Sequence, residues 1–377
     1  MKKKILFLIN VDSFFLSHRL PIALEAIKNG YEVHLAAKNS NNENKLLISS
    51  YGINFHNLNI DRNGKAGVIK EFFEIYLIIK KIRPDILHLV TIKPVLLGGI
   101  VARLLDVPAV VSAISGLGII FSADSLNSKL TKKIVFFLYY FALGHRNQKL
   151  IFQNEHDKIK LNNIKRDIYL KSQLIKGSGV DLSLYSVKKI NFDLPIVMMA
   201  SRLLLSKGVM EFVEASKIVK SINNNVRFVL VGDIDLSNPD SVKQSFIDQC
   251  NNDKFVEIWG YKNDMQVIIS KACIFVLPSY YGEGLPKVLI EAAACGRAVI
   301  TTDHPGCRDA VNSKSGILIP TRDSLSLATA IQELLQNPTK IEKMGKEARK
   351  LANETYSIQS VCDAHLKIYK NLILGNN

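Results

Sequence analysis

Residues 274–296 read IFVLPSYYGEGLPKVLIEAAACG, and this stretch predicts a strand, a turn and a helix in direct succession. The apolar run Ile274–Leu277 is typical of a strand buried in a parallel sheet. Gly282 lies in the turn, Pro286 suits the first position of a helix, and Gly296 ends that helix. A strand that leads through a turn into a helix is the repeating unit of a parallel α/β fold.

Two acidic residues occupy different parts of this unit. Glu283 lies in the loop at the carboxyl end of the predicted strand, and Glu291 lies about a turn and a half into the helix. The neighbours of Glu291, Ile290 and Ala292–Ala294, are apolar, which favours a buried and partnered carboxylate over an exposed one. Between them, the backbone amides at the start of the helix form a site for an anion. A carboxylate on each side of an anion site suits a ligand with hydroxyl groups at both ends and phosphates between them. A nucleotide sugar has this layout.

Short apolar strands alternate with helical patterns along the whole chain, which indicates parallel sheets covered by helices. The strands predicted in the first half are Lys4–Asn10, Glu32–Ala37, Asn54–Leu58, Ile86–Val90, Ala109–Ala113, Leu150–Gln153 and Leu174–Lys176. Those in the second half are Ile196–Ala200, Arg227–Val231, Val256–Trp259, Ile274–Leu277, Ala298–Thr302 and Ile317–Ile319. The clearest helical patterns are Leu16–Lys28, Val68–Ile82, Leu126–Leu143, Val209–Lys220, Pro286–Cys295 and Ser324–Leu335.

The repetition predicts two doubly wound, Rossmann-like domains that face a central cleft at the carboxyl ends of both sheets. A chain of 377 residues is long enough for two domains that each bury a core. The polar stretch Lys188–Asp193 is the predicted linker, so the domains span residues 1–187 and 194–355. A last helical segment, residues 356–377, is expected to pack back toward the N-terminal domain.

Positive charge is concentrated in the first half of the chain. Residues 1–180 contain 26 basic and 13 acidic residues, whereas the remainder contains 23 and 21, so nearly all of the net charge of +15 lies in the first half. This asymmetry predicts an anionic partner, which would be nucleic acid, an acidic lipid surface or a phosphorylated substrate. A solvated basic surface without a binding role is the alternative.

Other features narrow the class of protein. The five cysteines form no Cys-x-x-Cys pair, which favours reduced thiols in a cytoplasmic protein over a disulfide or zinc framework. The segment Met1–Ile9 is similar to the start of a signal peptide, but Asn10 and Asp12 end the apolar run early, so a first buried strand is predicted. No apolar run reaches the ~18 residues that a membrane span needs.

A second group of chemically active residues lies in the loop that follows the strand ending near Ala200. Arg202 and Lys207 both fall in this loop, and a helix begins just after Lys207. Two cations beside a helix N-terminus suit the charge of a diphosphate. On its own, this spacing is common on protein surfaces. Its occurrence a few strands before the two glutamates makes a binding site the better interpretation.

Together these motifs resemble the donor site of family 4 of the retaining glycosyltransferases, which have the GT-B fold of two Rossmann-like domains. The matching positions are Arg202, Lys207-Gly208, Glu283-Gly284-Leu285-Pro286 and Glu291. Gly177–Asp181 followed by Tyr185 is similar to the family's Asn-Gly-Val-Asp-x3-Phe segment, and Val229–Asp233 and Trp259–Tyr261 fit its other strand ends. The resemblance covers nearly all of the second half and, more loosely, the strand order of the first.

The resemblance implies a role for each matching residue. Arg202 and Lys207 would hold the donor diphosphate and stabilise it as the leaving group, and Glu283 would accept hydrogen bonds from hydroxyls of the donor sugar. These three are the expected catalytic residues. The other donor-binding positions would be the Gly284 and Leu285 amides with Pro286 at the phosphate, Glu291 at the ribose, and Gly260 and Tyr261 beside the base.

The chain departs from the family on the acceptor side. Members often have a Gly-Gly pair after the first strand, where this chain has Asn10–Phe15. Many also have a His after the fifth strand, where this chain has Ser115 and Gly116. The acceptor-side candidates are therefore Ser13, His18, Arg19, Ser115 and Gly116, with His18-Arg19 placed to meet an acceptor phosphate. His18 is equally consistent with a helix-capping residue.

The resemblance also implies the reaction and its partners. It is closest to bacterial enzymes that transfer N-acetylgalactosamine in α-1,3 linkage from a UDP-sugar to an undecaprenyl-diphosphate-linked sugar in O-antigen or lipopolysaccharide biosynthesis. The expected partners are a UDP-sugar, a polyprenyl-diphosphate-linked glycan and the anionic inner face of the membrane, with no nucleic acid. A glucosyl-, galactosyl- or mannosyltransferase, a UDP-sugar 2-epimerase and a non-catalytic basic protein that binds membrane or nucleic acid are the alternatives.

Two further segments have two interpretations each. Asp233-Ile234-Asp235 matches the Asp-x-Asp metal site of the other large glycosyltransferase fold, but its place after a strand of a doubly wound domain favours a surface turn. We therefore expect no metal and no cofactor. The segment Lys129–Phe141 combines lysines with a wide aromatic face, which fits either a helix at a lipid surface or a core helix.

Overall fold

The computed structural model describes residues 2–59, 67–117, 133, 137–163, 167–236 and 238–375. The chain forms two compact units. Unit 1 comprises Met1–Ser178 together with Gln359–Asn377, and unit 2 comprises Gly179–Ile358. The change of unit therefore lies at Ser178 and Ile358, whereas the sequence predicted boundaries near residues 187 and 355.

Unit 1 contains a seven-stranded parallel sheet in the order β3-β2-β1-β4-β5-β6-β7. Its strands are β1 Lys4–Val11, β2 Glu32–Lys38, β3 Asn54–Asn57, β4 Ile86–Val90, β5 Ala109–Ile114, β6 Gln148–Phe152 and β7 Ser172–Leu174. The bounds agree with the predicted strands to within two residues. The central strands β1, β4, β5 and β6 are mainly apolar and almost wholly buried, whereas the edge strands β3 and β7 are only partly buried.

The helices of unit 1 lie on both faces of its sheet. They are Asp12–His18, Leu20–Lys28, Asn42–Ser50, Val68–Ile82, Ile92–Leu104, Glu155–Asn162, Ile168–Lys171 and Ile358–Leu374, and residues 137–142 are also helical. The predicted helix Leu16–Lys28 is two helices joined at Arg19, because Pro21 lacks the amide that would continue the first one. Most of the predicted helix Leu126–Leu143 lies outside the described residues.

Two helices lie close against the middle of this sheet. A Cβ at Gly98 of the helix Ile92–Leu104 would lie 2.5 Å from the Leu89 side chain and 2.7 Å from that of Leu8. The helix Ile358–Leu374 places the Tyr369 hydroxyl 2.5 Å from Nδ1 of His88 on β4. His88 is fully buried in the core of unit 1.

Unit 2 contains a six-stranded parallel sheet in the order β10-β9-β8-β11-β12-β13. Its strands are β8 Ile196–Ala200, β9 Arg227–Val231, β10 Glu257–Gly260, β11 Ile274–Leu277, β12 Ala298–Thr302 and β13 Gly316–Ile319. Its helices are Val209–Ile222, Gln244–Asp253, Met265–Ile269, Lys287–Ala294, Ser324–Leu335 and Pro338–Thr355, with short 3₁₀ turns at Leu205–Lys207 and Arg308–Ala310. Both units thus have the doubly wound parallel architecture that the sequence predicted.

The length and hydropathy of the helices also bear on membrane insertion. Within the part of the chain that the structure describes, no helix is both long enough and apolar enough to cross a bilayer.

Candidate functional site

The most chemically active loops of unit 2 meet where its strand order reverses. β8 and β11 are adjacent parallel strands, with Val197 opposite Ile274 and Met199 opposite Val276. The loops that follow these two strands therefore leave the same edge of the sheet, which is where α/β sheets bind ligands. A hydrogen bond of 2.9 Å from the Tyr280 amide to the Ser206 carbonyl joins the two loops directly.

Lys207 and Glu283, one from each loop, form an ion pair. Nζ of Lys207 contacts Oε1 of Glu283, and the two side chains are only 12% and 14% exposed. The Ser279 hydroxyl also donates to Oε1 of Glu283, over 3.4 Å. Nζ of Lys207 lies 5.4 Å from the centre of the Tyr281 ring. The structure thus brings together two of the three predicted catalytic residues.

The close approach of the loops depends on Gly208. Its φ of +82° is in the left-handed region, and a Cβ at this position would lie 2.3 Å from the carbonyl oxygen of Pro278. Gly306, which sequence reasoning did not single out, has the same function behind Glu283. Its φ is +85°, and a Cβ there would lie 2.6 Å from the Glu283 carbonyl oxygen. Only glycine fits at these two positions without displacing backbone.

Arg202, the third predicted catalytic residue, is held by a different acid. Its Nη1 atom donates to Oδ2 of Asp235 over 2.8 Å, and the Arg202 side chain is 38% exposed. Asp235 belongs to the Asp-x-Asp motif, and the other acid of that motif, Asp233, accepts a hydrogen bond of 3.1 Å from the Tyr261 amide. Both aspartates therefore organise the loops that surround Arg202. No cluster of three or more potential His, Cys, Asp or Glu metal ligands occurs among the described residues.

Glu291 is a buried carboxylate on the helix Lys287–Ala294, as its apolar neighbours predicted. The residue is 7% exposed, and Oε1 accepts a hydrogen bond of 2.8 Å from the Tyr185 hydroxyl. Nζ of Lys287, one turn earlier, lies 3.6 Å from the same oxygen. Burial raises the pKa of the Glu291 carboxyl above its ordinary value, while Lys287 and Tyr185 act in the opposite direction.

Arg349 supports this arrangement, and sequence reasoning did not identify it. Its guanidinium donates to the backbone carbonyls of Tyr185 and Ala294 through Nη1, and to that of Leu182 through Nη2 over 3.2 Å. These bonds tie the Leu182–Tyr185 segment to the end of the helix that carries Glu291. In the sequence, the only indication of this role is that Arg349 lies next to Ala348 and close to Ala352, two alanines of the same helix that are buried.

The remaining predicted donor-side residues lie around this edge of the sheet. Gly260 ends β10 with a φ of +65°, and its carbonyl accepts a hydrogen bond of 2.9 Å from the Gly232 amide. Tyr261 follows it and is 66% exposed. Gly284 and Leu285 are buried between Glu283 and the helix, and Pro286 directly precedes the helix instead of occupying its first position.

The acceptor-side candidates all belong to unit 1. Ser13 is exposed near the start of the first helix, and the His18 ring stacks on Phe14 with 4.1 Å between ring centres. Ser115 and Gly116 directly follow β5 and are partly exposed. Because β4 separates β1 from β5, Ser13 and Ser115 leave the same edge of the sheet one strand apart.

Arg19 differs from the expectation of a cation that faces an acceptor phosphate. The residue is 2% exposed, and its Nη1 donates to the His18 carbonyl over 3.0 Å. Burial lowers the pKa of the Arg19 guanidinium to about 10. The guanidinium is therefore enclosed by unit 1, and the acceptor-side prediction for Arg19 is corrected on this ground.

Two known protein families match the chain, and together they cover most of it. The family described as glycosyl transferases group 1 matches residues 184–351, and the family described as glycosyl transferase 4-like matches residues 4–154. The first match contains every side chain that contributes to the unit 2 site described above, from Tyr185 to Arg349.

Curated relatives and solved structures are similar over most of their length. The chain is 29% identical to the N,N'-diacetylbacillosaminyl-diphospho-undecaprenol α-1,3-N-acetylgalactosaminyltransferase of Campylobacter jejuni, covering 81% of this chain and 82% of the relative. It is 28% identical to the UDP-Gal:α-D-GlcNAc-diphosphoundecaprenol α-1,3-galactosyltransferase of Escherichia coli, covering 81% and 80%. Anabaena HepE, solved with UDP and glucose, superposes with a TM-score of 0.78 at 17% identity, covering 98% and 99%. Sucrose-phosphate synthase of Thermosynechococcus elongatus gives 0.79 at 18% identity, covering 99% and 100%.

Proposed function

We propose the reaction of this chain from the two families that match it. The chain is a glycosyltransferase with the GT-B fold, and it consists of a glycosyl transferase 4-like domain and a glycosyl transferases group 1 domain. The proposed reaction transfers a sugar from UDP to a sugar carried on undecaprenyl diphosphate, in the synthesis of an O-antigen. The observation that carries the proposal is the ion pair between Lys207 and Glu283, which joins the loops that follow the adjacent strands β8 and β11. Arg202 belongs to the first of these loops, and Glu291 lies on the helix that follows the second.

The chemistry of that edge suits a nucleotide sugar. Arg202 and Lys207 supply two cations for the diphosphate, and the helix Lys287–Ala294 points its N-terminus toward the loop that carries Glu283. Glu291, buried and held by Tyr185, is the acceptor for the ribose hydroxyls. Glu283 is the acceptor for hydroxyls of the transferred sugar, to which it becomes available when the diphosphate draws Lys207 away. UDP is chosen as the nucleotide because the Escherichia coli relative is named for UDP-Gal.

The proposed mechanism retains the configuration of the sugar. The bond from the anomeric carbon to the β-phosphate oxygen breaks, and the acceptor oxygen forms its bond on the same face of the sugar. The proton of the acceptor hydroxyl passes to the departing phosphate oxygen. Arg202 and Lys207 stabilise the negative charge that develops on the diphosphate. This electrostatic stabilisation is strongest in a site that excludes water. This mechanism needs neither a protein nucleophile nor a metal ion.

The sugar and the acceptor are proposed from the named relatives. N-Acetylgalactosamine in α-1,3 linkage is the first candidate, because the Campylobacter jejuni relative transfers it to an undecaprenyl-diphosphate-linked amino sugar. Galactose is the second, because the Escherichia coli relative is similar over the same share of the chain. Either acceptor is lipid-linked, so we propose that the protein works at the cytoplasmic face of the inner membrane.

A donor and acceptor screen tests this proposal. UDP-GalNAc, UDP-GlcNAc, UDP-Gal and UDP-Glc would each be combined with undecaprenyl diphosphate that carries N,N'-diacetylbacillosamine or N-acetylglucosamine. We expect transfer from UDP-GalNAc and an α-linked product by NMR. Preferred transfer from UDP-Gal would select the second candidate, and a β-linked product would overturn the retaining mechanism. No transfer to any lipid-linked acceptor would overturn the proposed acceptor class.

A further inference from the structure

The helix Val68–Ile82 has apolar side chains on both of its faces. Ile75, Ile79 and Ile82 are buried against the sheet of unit 1. On the opposite face, Ile69, Phe73 and Leu77 are 75%, 58% and 62% exposed. The spacing of four residues places these three side chains in one row along the outer side of the helix. Single exposed apolar residues are ordinary, but a row of large ones usually marks a contact surface.

A second group of exposed aromatic residues lies in the same layer of helices. Phe137, Tyr140 and Phe141 are 62%, 50% and 42% exposed, whereas Tyr139 between them is buried in the core of unit 1. For its described part, the segment Lys129–Phe141 therefore has one core face, as the core interpretation predicts, and one exposed aromatic face, which leaves the lipid-surface interpretation as a prediction. Residues 129–132 and 134–136 lie outside the described part of the chain.

The helix Ile92–Leu104 connects the two groups. At its start, Nζ of Lys93 lies 3.1 Å from both carboxylate oxygens of Glu71 on the helix Val68–Ile82. At its end, Nη1 of Arg103 donates to the Phe141 carbonyl over 3.0 Å. The helix Val68–Ile82 and the helical residues 137–142 thus flank the helix Ile92–Leu104 on the same face of the sheet. We define the outer apolar surface as the exposed side chains of this layer: Ile69, Phe73, Leu77, Phe137, Tyr140 and Phe141.

The charges beside the outer apolar surface are mainly positive. Lys70, Lys80, Lys81 and Arg83 are all exposed at the two ends of the helix Val68–Ile82. The acidic residues of this helix do not balance them, because Glu71 is 2% exposed and paired with Lys93, and Glu74 is only partly exposed. A surface of large apolar side chains bordered by lysines is complementary to a bilayer with anionic headgroups.

We propose that the outer apolar surface is the site at which unit 1 docks onto an anionic lipid bilayer. Ile69, Phe73 and Leu77 enter the boundary between headgroups and acyl chains, together with the exposed aromatic residues beside them. The lysines bind lipid phosphates. The inference rests on the proposed function in one respect: the lipid-linked acceptor is the reason why the protein would bind a membrane. Bilayer binding itself is a separate property and is measured without any sugar transfer.

Vesicle flotation of the full chain tests the docking site. The probes are vesicles of phosphatidylcholine with and without phosphatidylglycerol. We expect the wild type to float with the anionic vesicles and the double variant Phe73→Ser/Leu77→Ser to bind about tenfold less, because two apolar insertions are lost. The matched control is Ile222→Ser/Leu325→Ser, which removes two apolar residues of unit 2 that are 72% and 66% exposed. Its binding should equal that of the wild type.

Further measurements separate the possible occupants of the surface. The charge-reversal variant Lys80→Glu/Lys81→Glu should lose the preference for phosphatidylglycerol. Circular dichroism confirms that each variant is folded. Equal flotation of the wild type and Phe73→Ser/Leu77→Ser would overturn the proposal. So would a wild-type dimer in sedimentation that this variant abolishes, since the surface would then bind a second copy. Flotation without transfer activity would retain the docking site and refute the proposed function instead.

Discussion

The Tyr185 hydroxyl donates a 2.8 Å hydrogen bond to Oε1 of Glu291, although 106 positions separate the two residues. The bond joins the start of unit 2 to the helix that follows the Glu283 loop. Tyr185 occupies the position at which the family pattern has Phe, so the hydroxyl group that bonds to Glu291 is an addition of this chain to that pattern. The carboxylate that we assign to the ribose is therefore oriented before any donor binds.

Tyr185→Phe should weaken donor binding without stopping transfer. The change keeps the ring and removes one hydrogen bond to Glu291, a bond worth about 0.5–3 kcal/mol depending on the charge of the carboxyl. We expect the KM for the UDP-sugar to rise by at least about twofold, and by more than tenfold if the carboxyl is charged, with kcat nearly unchanged. Steady-state kinetics measures both. Tyr356→Phe, which removes a hydroxyl bonded to the Asp309 carbonyl elsewhere in unit 2, is the control and should leave KM unchanged.

Glu291→Gln should increase stability at neutral pH. Because burial raises the pKa of Glu291, the folded chain holds this proton more tightly than the unfolded chain, whose carboxyl has a pKa of about 4.3. The contribution of Glu291 to the free energy of unfolding is therefore favourable at low pH and is lost as the pH rises through the folded-state pKa. Thermal unfolding at pH 5 and pH 8 checks this. The Tm of Glu291→Gln should exceed that of the wild type by more at pH 8 than at pH 5. A smaller difference at pH 8 would contradict the raised pKa of Glu291.

Gly208→Ala should cost much more stability than an ordinary glycine replacement. Its Cβ would collide with the Pro278 carbonyl in addition to taking a positive φ. Gly52 has a similar φ of +76° but nothing within 4 Å of its Cβ position, so Gly52→Ala is the control. We expect about 1–2 kcal/mol for Gly52→Ala and about 3 kcal/mol or more for Gly208→Ala in urea titrations. Equal costs would show that the loops can separate freely.

Removal of divalent metal should not affect the rate. Asp233 and Asp235 are hydrogen-bonded to Tyr261 and Arg202, and the cations of the site belong to the protein. We expect excess EDTA to leave sugar transfer unchanged. Asp235→Asn should retain activity while altering the donor KM, because it releases Arg202. Loss of transfer with EDTA and its recovery with manganese would support the metal interpretation of the Asp-x-Asp motif.

Most of the strands were predictable because a buried strand of a parallel sheet is a continuous apolar run. The helix Val68–Ile82 was predicted with its observed bounds, since its apolar positions recur at helical spacing. The pairing of Lys207 with Glu283 was not predictable, because 76 positions separate them and the contact depends on strand order. The same holds for Arg202 and Asp235.

The burial or exposure of individual side chains was the other property that the sequence predicted only in part. Arg19 was expected to meet an acceptor phosphate because His18-Arg19 precede Pro21 at a helix start, and its neighbours in the sequence did not indicate a buried guanidinium. Glu291 was predicted to be buried because its neighbours on the helix are apolar. The exposed row Ile69, Phe73 and Leu77 was also missed, since apolar residues in a helix are ordinarily assigned to the core.

Calorimetric titration with UDP tests the central claim most directly. The claim is that Arg202, Lys207, Glu283 and Glu291 surround one sugar nucleotide. We expect Arg202→Ala and Glu291→Gln each to weaken UDP binding about tenfold or more, since each loses a charge-assisted hydrogen bond. Glu214→Gln, an exposed acid paired with Lys217 on a helix of the same unit, should bind UDP like the wild type. UDP affinity that is unchanged in both site variants would contradict the account.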